Sequence, residues 1–313
     1  MLRVLAWLIG LPLAAVTGLF AYSWWRERGF NGDHPPPGKL YGKPEAPRAH
    51  ATDALGAEPA VVFLHGNPGT CLDFQPVMEK LSPKVRSFSF DRPGYGWSER
   101  PAPQMTPTEQ ARFIHEAVKH LGLERPVVAG FSFGGAVALA YALEYPSEVS
   151  ALVLIAAVGS PEEKHVMSEA QARLTAPLGP VIAWGLGPLV APDAVASGYV
   201  DAFHPKPADP DVVERGRHHF SRPPTLLASA RDWHVLETEL PKLAARYAEL
   251  SVPVEILSAS QDRIVGPAHA DYLAKHLKGA HRVDVDDGGH QLMSTHTQAV
   301  VDAVLRAVAR AAP

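Results

Sequence analysis

Cysteine is almost missing: Cys71 stands alone in 313 residues, so no internal disulfide can form and a disulfide-built scaffold is excluded. The lone thiol reads as a small, partly buried hydrophobe near a helix start. An excess of either charge is lacking too. Twenty-nine basic against 33 acidic residues leave a net charge of −4 and a pI near 6.4, which gives no electrostatic basis for nucleic-acid binding. His204, His218, His219 and His234 come without the carboxylate or cysteine spacing of a metal centre. No metal and no cofactor is therefore expected. Charged side chains are also absent from Val4 to Trp25, the longest such gap to bear on function. What is plentiful is proline, at 30 residues, which favours loops and broken helices over a regular bundle. The otherwise ordinary composition, 46% hydrophobic and 20% charged, suits one large domain or one domain with a sizeable insertion.

As a helix, the run from Val4 to Trp25 would be about 33 Å long, enough to cross a bilayer's hydrocarbon core. Trp7, Tyr22, Trp24 and Trp25 lie near its ends, where an aromatic belt would sit. Residues 1–28 are thus expected to form a membrane anchor, and the chain to be a membrane protein with a single N-terminal span. The rival is a cleaved signal, with Ala21-Tyr22-Ser23 as the cutting site and a secreted or periplasmic product. The length of the run, and tryptophans directly after that cut, favour the anchor. Basic residues on both sides leave the orientation open. Residues 29–59, with Pro35-Pro36-Pro37 and no apolar periodicity, read as a Pro/Gly-rich tether.

The folded body is expected to begin at Ala60-Val61-Val62-Phe63-Leu64, a short apolar run suited to a strand buried on both faces. A second strand follows at Val85 to Phe90. Thr106-Pro107-Thr108-Glu109 carries the signature of a helix start, with threonine as N-cap, proline at N1 and glutamate closing a capping box. Strands at Val127-Val128 and Ala151 to Ala156 continue an alternation with helices that argues for a mostly parallel sheet flanked by helices. The alternation stops between about Gly159 and Leu250, where helical fragments broken by Pro and Gly suggest an inserted helical cap. Within it, Leu178 to Val190 is strongly apolar. That segment suits a helix buried against the body or an apolar wall over an active site that also touches lipid. Strands at Val254 to Ser258 and Arg282 to Val285 resume the sheet. The division is therefore a body at 60–158 and 251–313 with a cap at 159–250.

Gly130-Phe131-Ser132-Phe133-Gly134 places a serine on a sharp strand-to-helix turn, with near-absent side chains two positions either side. A serine hydroxyl needs a base within hydrogen-bond reach, and the base a carboxylate to fix its tautomer. Groups from different parallel strands converge at the strands' carboxyl ends. Ser132, Asp262 and His290 each follow an expected strand, in the order Ser, Asp, His. Asp286 and Asp287, in the histidine's own loop, are alternative acids.

On these residues the chain from about 60 onward resembles the α/β-hydrolase superfamily, in its capped branch. The resemblance rests on His65-Gly66-Asn67-Pro68-Gly69, Asp91-Arg92-Pro93-Gly94-Tyr95-Gly96-Trp97-Ser98, Gly130 to Gly135, Ser258 with Asp262-Arg263-Ile264-Val265, and Gly289-His290. It implies an α/β-hydrolase fold with Ser132 as nucleophile, His290 as general base and then acid, and Asp262 as its orienting carboxylate. It also implies an oxyanion hole from the backbone amides of Asn67 and Phe133. His65 would pack under that loop and Asp91 would anchor its own. Related dehalogenases and epoxide hydrolases use an aspartate nucleophile. The serine here implies an acyl-enzyme, hence a serine hydrolase of esterase or lipase type acting on a small-molecule or lipid-like ester with an apolar portion. The alternatives are a carbon–carbon bond hydrolase or peptidase with the same triad, and an inactive ligand-binding homologue. Capped hydrolases begin with two or three strands before the His-Gly loop, and residues 41–59 leave little room for them, so the sheet's first edge is expected to be short or missing.

Overall fold

The computed structural model describes residues 2–163 and 167–311, with side chains from Leu11 onward except Pro12. A long helix, α1 (Leu2–Asp33), precedes the strands β1 (Lys39–Tyr41), β2 (Ala49–Ala54) and β3 (Ala57–Leu64). Then come α2 (Gln75–Leu81), β4 (Val85–Phe90), α3 (Pro107–His120), β5 (Val127–Phe131), α4 (Phe133–Glu144) and β6 (Ala151–Ile155). Between β6 and the next strand the described residues form helices and loops only: α5 (Glu169–Thr175), α6 (Gly179–Gly185), α7 (Gly187–Phe203), α8 (Pro210–Phe220), α9 (Pro223–Ala244) and a 3-10 turn at Tyr247–Glu249. The chain closes with β7 (Val254–Ala259), α10 (Ala268–His276), β8 (His281–Val285), α11 (Leu292–Thr295) and α12 (Thr297–Ala311).

The eight strands form one sheet in the order β1-β2-β4-β3-β5-β6-β7-β8. Only the β1–β2 and β2–β4 pairs are antiparallel; from β4 to β8 all pairs are parallel. Parallel strands need crossovers, and the crossover helices cover both faces. Successive residues of one strand therefore feed two cores. Val62 and Leu64 of β3 pack with Ile114 and Val118 of α3 and Val137 of α4. Val61 and Phe63 pack with Phe74, with Val77 of α2, and with Val300 and Val304 of α12. This is why β3, β5 and β6 read as unbroken apolar runs rather than alternating ones. The α3 start is capped as its sequence predicts, the Thr106 hydroxyl accepting from Glu109 N and the Glu109 carboxylate from Thr106 N.

The expected tether is corrected. Residues 39–41 and 49–54 are the sheet's first two strands, so the body begins well before Ala60 and its first edge is present. The strands hide in the sequence because β1 is three residues long and β2 reads Ala-His-Ala-Thr-Asp-Ala. Burial comes instead from Tyr41 against Phe88 and Phe90, and from a buried His50 paired with Asp91.

Nor does the chain loosen at residue 29. Helix α1 runs on to Asp33, and its last turns dock on the helices between β6 and β7. Glu27 accepts from two of the three Arg222 nitrogens, Nε at 3.0 Å and Nη2 at 2.5 Å. Phe30 is buried beneath the Arg222 guanidinium, 3.8 Å from carbon to ring centroid. The expected anchor falls partly on residues whose side chains lie outside the description; among the described residues no single helix is long and apolar enough to cross a membrane.

Candidate active site

Ser132 sits between β5 and α4 at φ 53°, ψ −123°, a strained position for a residue with a Cβ, costing about 1–3 kcal/mol. The surroundings over-determine it. Its N–H donates to Ile155 O at 3.0 Å, and its carbonyl accepts from Gly135 N and Val158 N. The flanking glycines are required by contact: a Cβ on Gly130 would lie 2.3 Å from Gly134 O, and one on Gly134 would lie 2.2 Å from Leu64 O.

Asp262 and His290 are brought together directly. Nδ1 of His290 lies 2.6 Å from Asp262 Oδ2, with both side chains buried. The other carboxylate oxygen accepts from the backbone N–H groups of Ile264 (2.7 Å) and Val265 (2.9 Å). Three hydrogen bonds fix the carboxylate's rotamer, and Oδ2 in turn fixes the Nδ1–H tautomer of His290. The loops that carry the pair are laced together by Gln261 N–H to Gly288 O (2.9 Å). Phe131, immediately before Ser132, holds its ring 4.7 Å from the His290 ring. No hydrogen bond joins the Ser132 hydroxyl to His290 among the described residues, a bond that in unliganded sites is often long and tightens only with substrate.

Asn67 lies beside the serine, since a Cβ on its neighbour Gly66 would come within 3.0 Å of Ser132 Cβ. The Gly66–Asn67 peptide is held from behind. Its carbonyl accepts from His65 Nδ1–H (2.8 Å) and from Arg92 Nη2–H (2.9 Å). His65 Nε2 accepts from Arg92 N–H (2.9 Å), so the ring is neutral with its proton on Nδ1. Burial, and then the Arg92 charge, push its pKa well below the usual range. The peptide whose C=O is so engaged presents the Asn67 N–H, and neither that amide nor Phe133 N–H has a protein acceptor among the described residues.

Sequence reasoning missed the framework behind this loop. Arg92 is fully buried and also binds Gln110 Oε1 (2.6 Å) and Asp232 Oδ2 (2.9 Å). Asp232, on α9, takes Arg100 and the Tyr95 hydroxyl as well. Three residues earlier on α9, Ser229 donates to Asn67 Oδ1 (2.6 Å) and accepts from Asn67 Nδ2 through its carbonyl (3.0 Å). The Asn67 side chain is thus turned to α9. Arg92 stood in a quoted motif; an aspartate and a serine inside a helix carry no signal of their own.

The remaining candidates lie elsewhere. Asp287 pairs with His296 (3.0 Å) and Lys206 rather than His290, and the Asp286 carbonyl accepts from Gln261. His234 is exposed, and His218 pairs with Glu214. One group has metal-like proximity, His50 with Cys71 and Asp91, but its donors are engaged. His50 Nε2 accepts from Gly38 N–H, leaving the proton on Nδ1 facing Asp91, whose oxygens also take the amides of Cys71 and Trp97. Burial and the Asp91 carboxylate push the Cys71 thiol up, away from thiolate.

A family model described as the alpha/beta hydrolase fold matches residues 59–297. The chain is similar to an uncharacterised protein of Mycobacterium bovis, 24% identical over 250 residues that cover 75% of this chain and 71% of the other. It is also similar to a 2-hydroxy-6-oxo-2,4-heptadienoate hydrolase of Pseudomonas putida, 36% identical over 109 residues covering 34% and 40%. Among solved structures, an esterase from Exiguobacterium antarcticum superimposes with a TM-score of 0.71 at 22% identity, covering 87% of this chain and 99% of that one. With an elbow serine, a buried His–Asp pair and a family match that spans most of its length, this chain belongs to the α/β-hydrolase family.

Proposed function

We propose that the chain is a serine hydrolase that cleaves a carboxylic ester with an apolar portion. The observation that supports it most is the Asp262–His290 pair at 2.6 Å, set beside a serine in a strained elbow. In this reading Ser132 Oγ adds to the ester carbonyl carbon as His290 Nε2 takes its proton. Asp262 stabilises the imidazolium, and the amides of Asn67 and Phe133 bind the oxyanion. The C–O bond to the alcohol then breaks, and His290 returns the proton to the leaving oxygen. Water, deprotonated by the same nitrogen, attacks the acyl-enzyme, and the acid leaves as Ser132 regains its proton. Ser132→Ala should abolish hydrolysis of short p-nitrophenyl esters; activity that survives the change would sink the assignment.

Similarity to a Pseudomonas hydrolase named for a 2-hydroxy-6-oxo-dienoate substrate supports a second reading, carbon–carbon bond cleavage with the same three residues. A panel of esters, anilides and vinylogous diketones separates the two. A fluorophosphonate probe separates both from an inactive ligand-binding homologue, which would leave Ser132 unlabelled. The charge-free run from Val4 to Trp25 supports attachment to a membrane through the N-terminal segment. Carbonate-washed membranes should retain the chain, and a cleaved, soluble product would refute that placement.

A further inference from the structure

Fifteen large apolar side chains are exposed among the described residues, and they are not scattered: six lie on α1 between Leu11 and Trp25, and six between Leu178 and Val200. The two groups adjoin where α1 meets α6. Helix α1 packs along α6, with the Phe20 ring beside Gly185, where a Cβ would meet it in van der Waals contact at 3.4 Å. Soluble monomers rarely expose a contiguous apolar patch of more than a few hundred Å². Helices α6 and α7 meet at Leu186 with an 87° bend, and together they have the length and apolarity of a broken or re-entrant span. Leu186, Leu189 and Val190 crown that elbow at 49%, 54% and 64% exposure.

The occupant is indicated by what borders the patch. It is continuous along α1 with a run that holds no charge from Val4 to Trp25. Where charge resumes, Tyr22, Trp24 and Trp25 are exposed. Arg28 lies 4.4 Å above the Trp24 ring and Arg26 lies 5.9 Å from the Tyr22 ring. Aromatic rings backed by arginines are the side chains of a membrane–water interface. Immediately beyond, the Glu27–Arg222 pair and the buried Phe30 lock α1 to the helices between β6 and β7. The orientation of the elbow relative to α1 is therefore fixed.

Helix α7 then connects this surface to the catalytic loop. It starts at the elbow and ends about 25 Å away. There Ala202 O accepts from Gln291 N–H at 3.0 Å, and His204 O presses on Gly289 so closely that a Cβ would lie 1.6 Å from it. The residues on either side of His290 thus rest on the far end of the helix whose near end carries Leu189 and Val190.

We propose that the α6–α7 elbow seats in a lipid bilayer beside α1, and that the ester is drawn from that bilayer as an amphiphile. The substrate half rests on the hydrolase reading; the seating half does not. The buried Cys71 leaves an introduced cysteine free for selective labelling. Val190→Cys in the full chain, carrying a nitrobenzoxadiazole probe and reconstituted in phosphatidylcholine–phosphatidylglycerol vesicles, should lose at least half its emission to brominated lipid. A probe at Leu55→Cys, exposed in the turn between β2 and β3, should lose almost none. Equal quenching at the two sites overturns the seating. So does a Val190 probe shielded from bromolipid in a chain that light scattering shows to be dimeric, since a second copy would then cover the patch. Ser132→Ala must leave the quenching unchanged, which keeps failure of the esterase reading distinct. Leu189→Glu should slow hydrolysis of a long-chain ester in vesicles about tenfold and spare a soluble short ester; an equal loss on both overturns the substrate half.

Discussion

Two histidine–aspartate pairs are buried on opposite halves of this sheet, after β7 and β8 and between β2 and the loop after β4, and their hydrogen bonds are nearly the same length: 2.6 Å for His290 with Asp262 and 2.8 Å for His50 with Asp91. The difference lies in the second ring nitrogen. Nε2 of His50 accepts from Gly38 N–H, so its ring is filled on both sides and staples β2 and the chain before β1 to the loop after β4. Nε2 of His290 has no protein partner among the described residues, and its ring leans on the residue before the elbow serine. A carboxylate sets a histidine's tautomer in either setting. In the proposed mechanism it is this vacant nitrogen that would let the His290 pair act as a general base.

The largest effect that can break this comparison is Asp262→Asn. One amide oxygen can still accept from Ile264 and Val265, but the NH₂ group would then face His290 Nδ1 and force the proton onto Nε2. The proposed base is lost with the geometry intact, so kcat should fall by about 10³–10⁴, read on a p-nitrophenyl ester, with little change in the urea midpoint. Asp91→Ala should do the reverse. It strands the amides of Cys71 and Trp97 and the His50 ring, costing about 3–5 kcal/mol in urea unfolding, while kcat per folded molecule stays within about twofold. If the two variants lose activity alike, the pairs do not differ in the way proposed.

A third buried histidine sharpens the comparison by having no carboxylate. His219 packs edge-on against Phe30 with its Nδ1 unpartnered among the described residues, and burial, followed by repulsion from Arg222 and His34, lowers its pKa to about 3. The unfolded chain, titrating near 6.5, binds this proton first as the pH falls. Stability from the neutral ring is therefore fully present above about pH 6.5 and lost progressively as pH drops towards 3. Between pH 7 and pH 5 the loss should be about 2 kcal/mol in wild type. It should be smaller by that amount in His219→Phe, which is checked by urea titrations at both values.

How much of this was legible follows from what periodicity can carry. Buried parallel strands such as Val61 to Leu64 announce themselves by unbroken apolar runs, and the elbow by glycines that only close backbone contacts demand. The order Ser132, Asp262, His290 was readable because each lies in the loop after an expected strand, at once after β5, three residues past β7 and five past β8. β1 and β2 were not readable: three residues have no period, and the burial of His50 depends on Asp91, 41 positions away. The docking of α1 was hidden for the same reason, since Glu27 and Phe30 find Arg222 across 195 and 192 positions. The links from Asn67 to Ser229 and from Arg92 to Asp232 likewise span more than a hundred residues. Pairing between distant polar groups leaves no local pattern.

The smallest expected effect concerns that first link. The Asn67 side chain is held twice by Ser229, through the hydroxyl at 2.6 Å and the backbone carbonyl at 3.0 Å. The peptide that precedes Asn67 is held independently by His65 and Arg92. Ser229→Ala removes one bond of the first set and none of the second. The Asn67 amide, the proposed oxyanion donor, should therefore keep its direction and lose only some rigidity. With a neutral side-chain bond worth about 0.5–1.5 kcal/mol, kcat should fall by no more than about tenfold, with KM nearly unchanged. A loss of a hundredfold or more would mean that α9, and not the His65–Arg92 backing, sets the donor. The contrast between a proposed catalytic site built on the sheet's loops and an insertion that merely leans on it would then have to be redrawn.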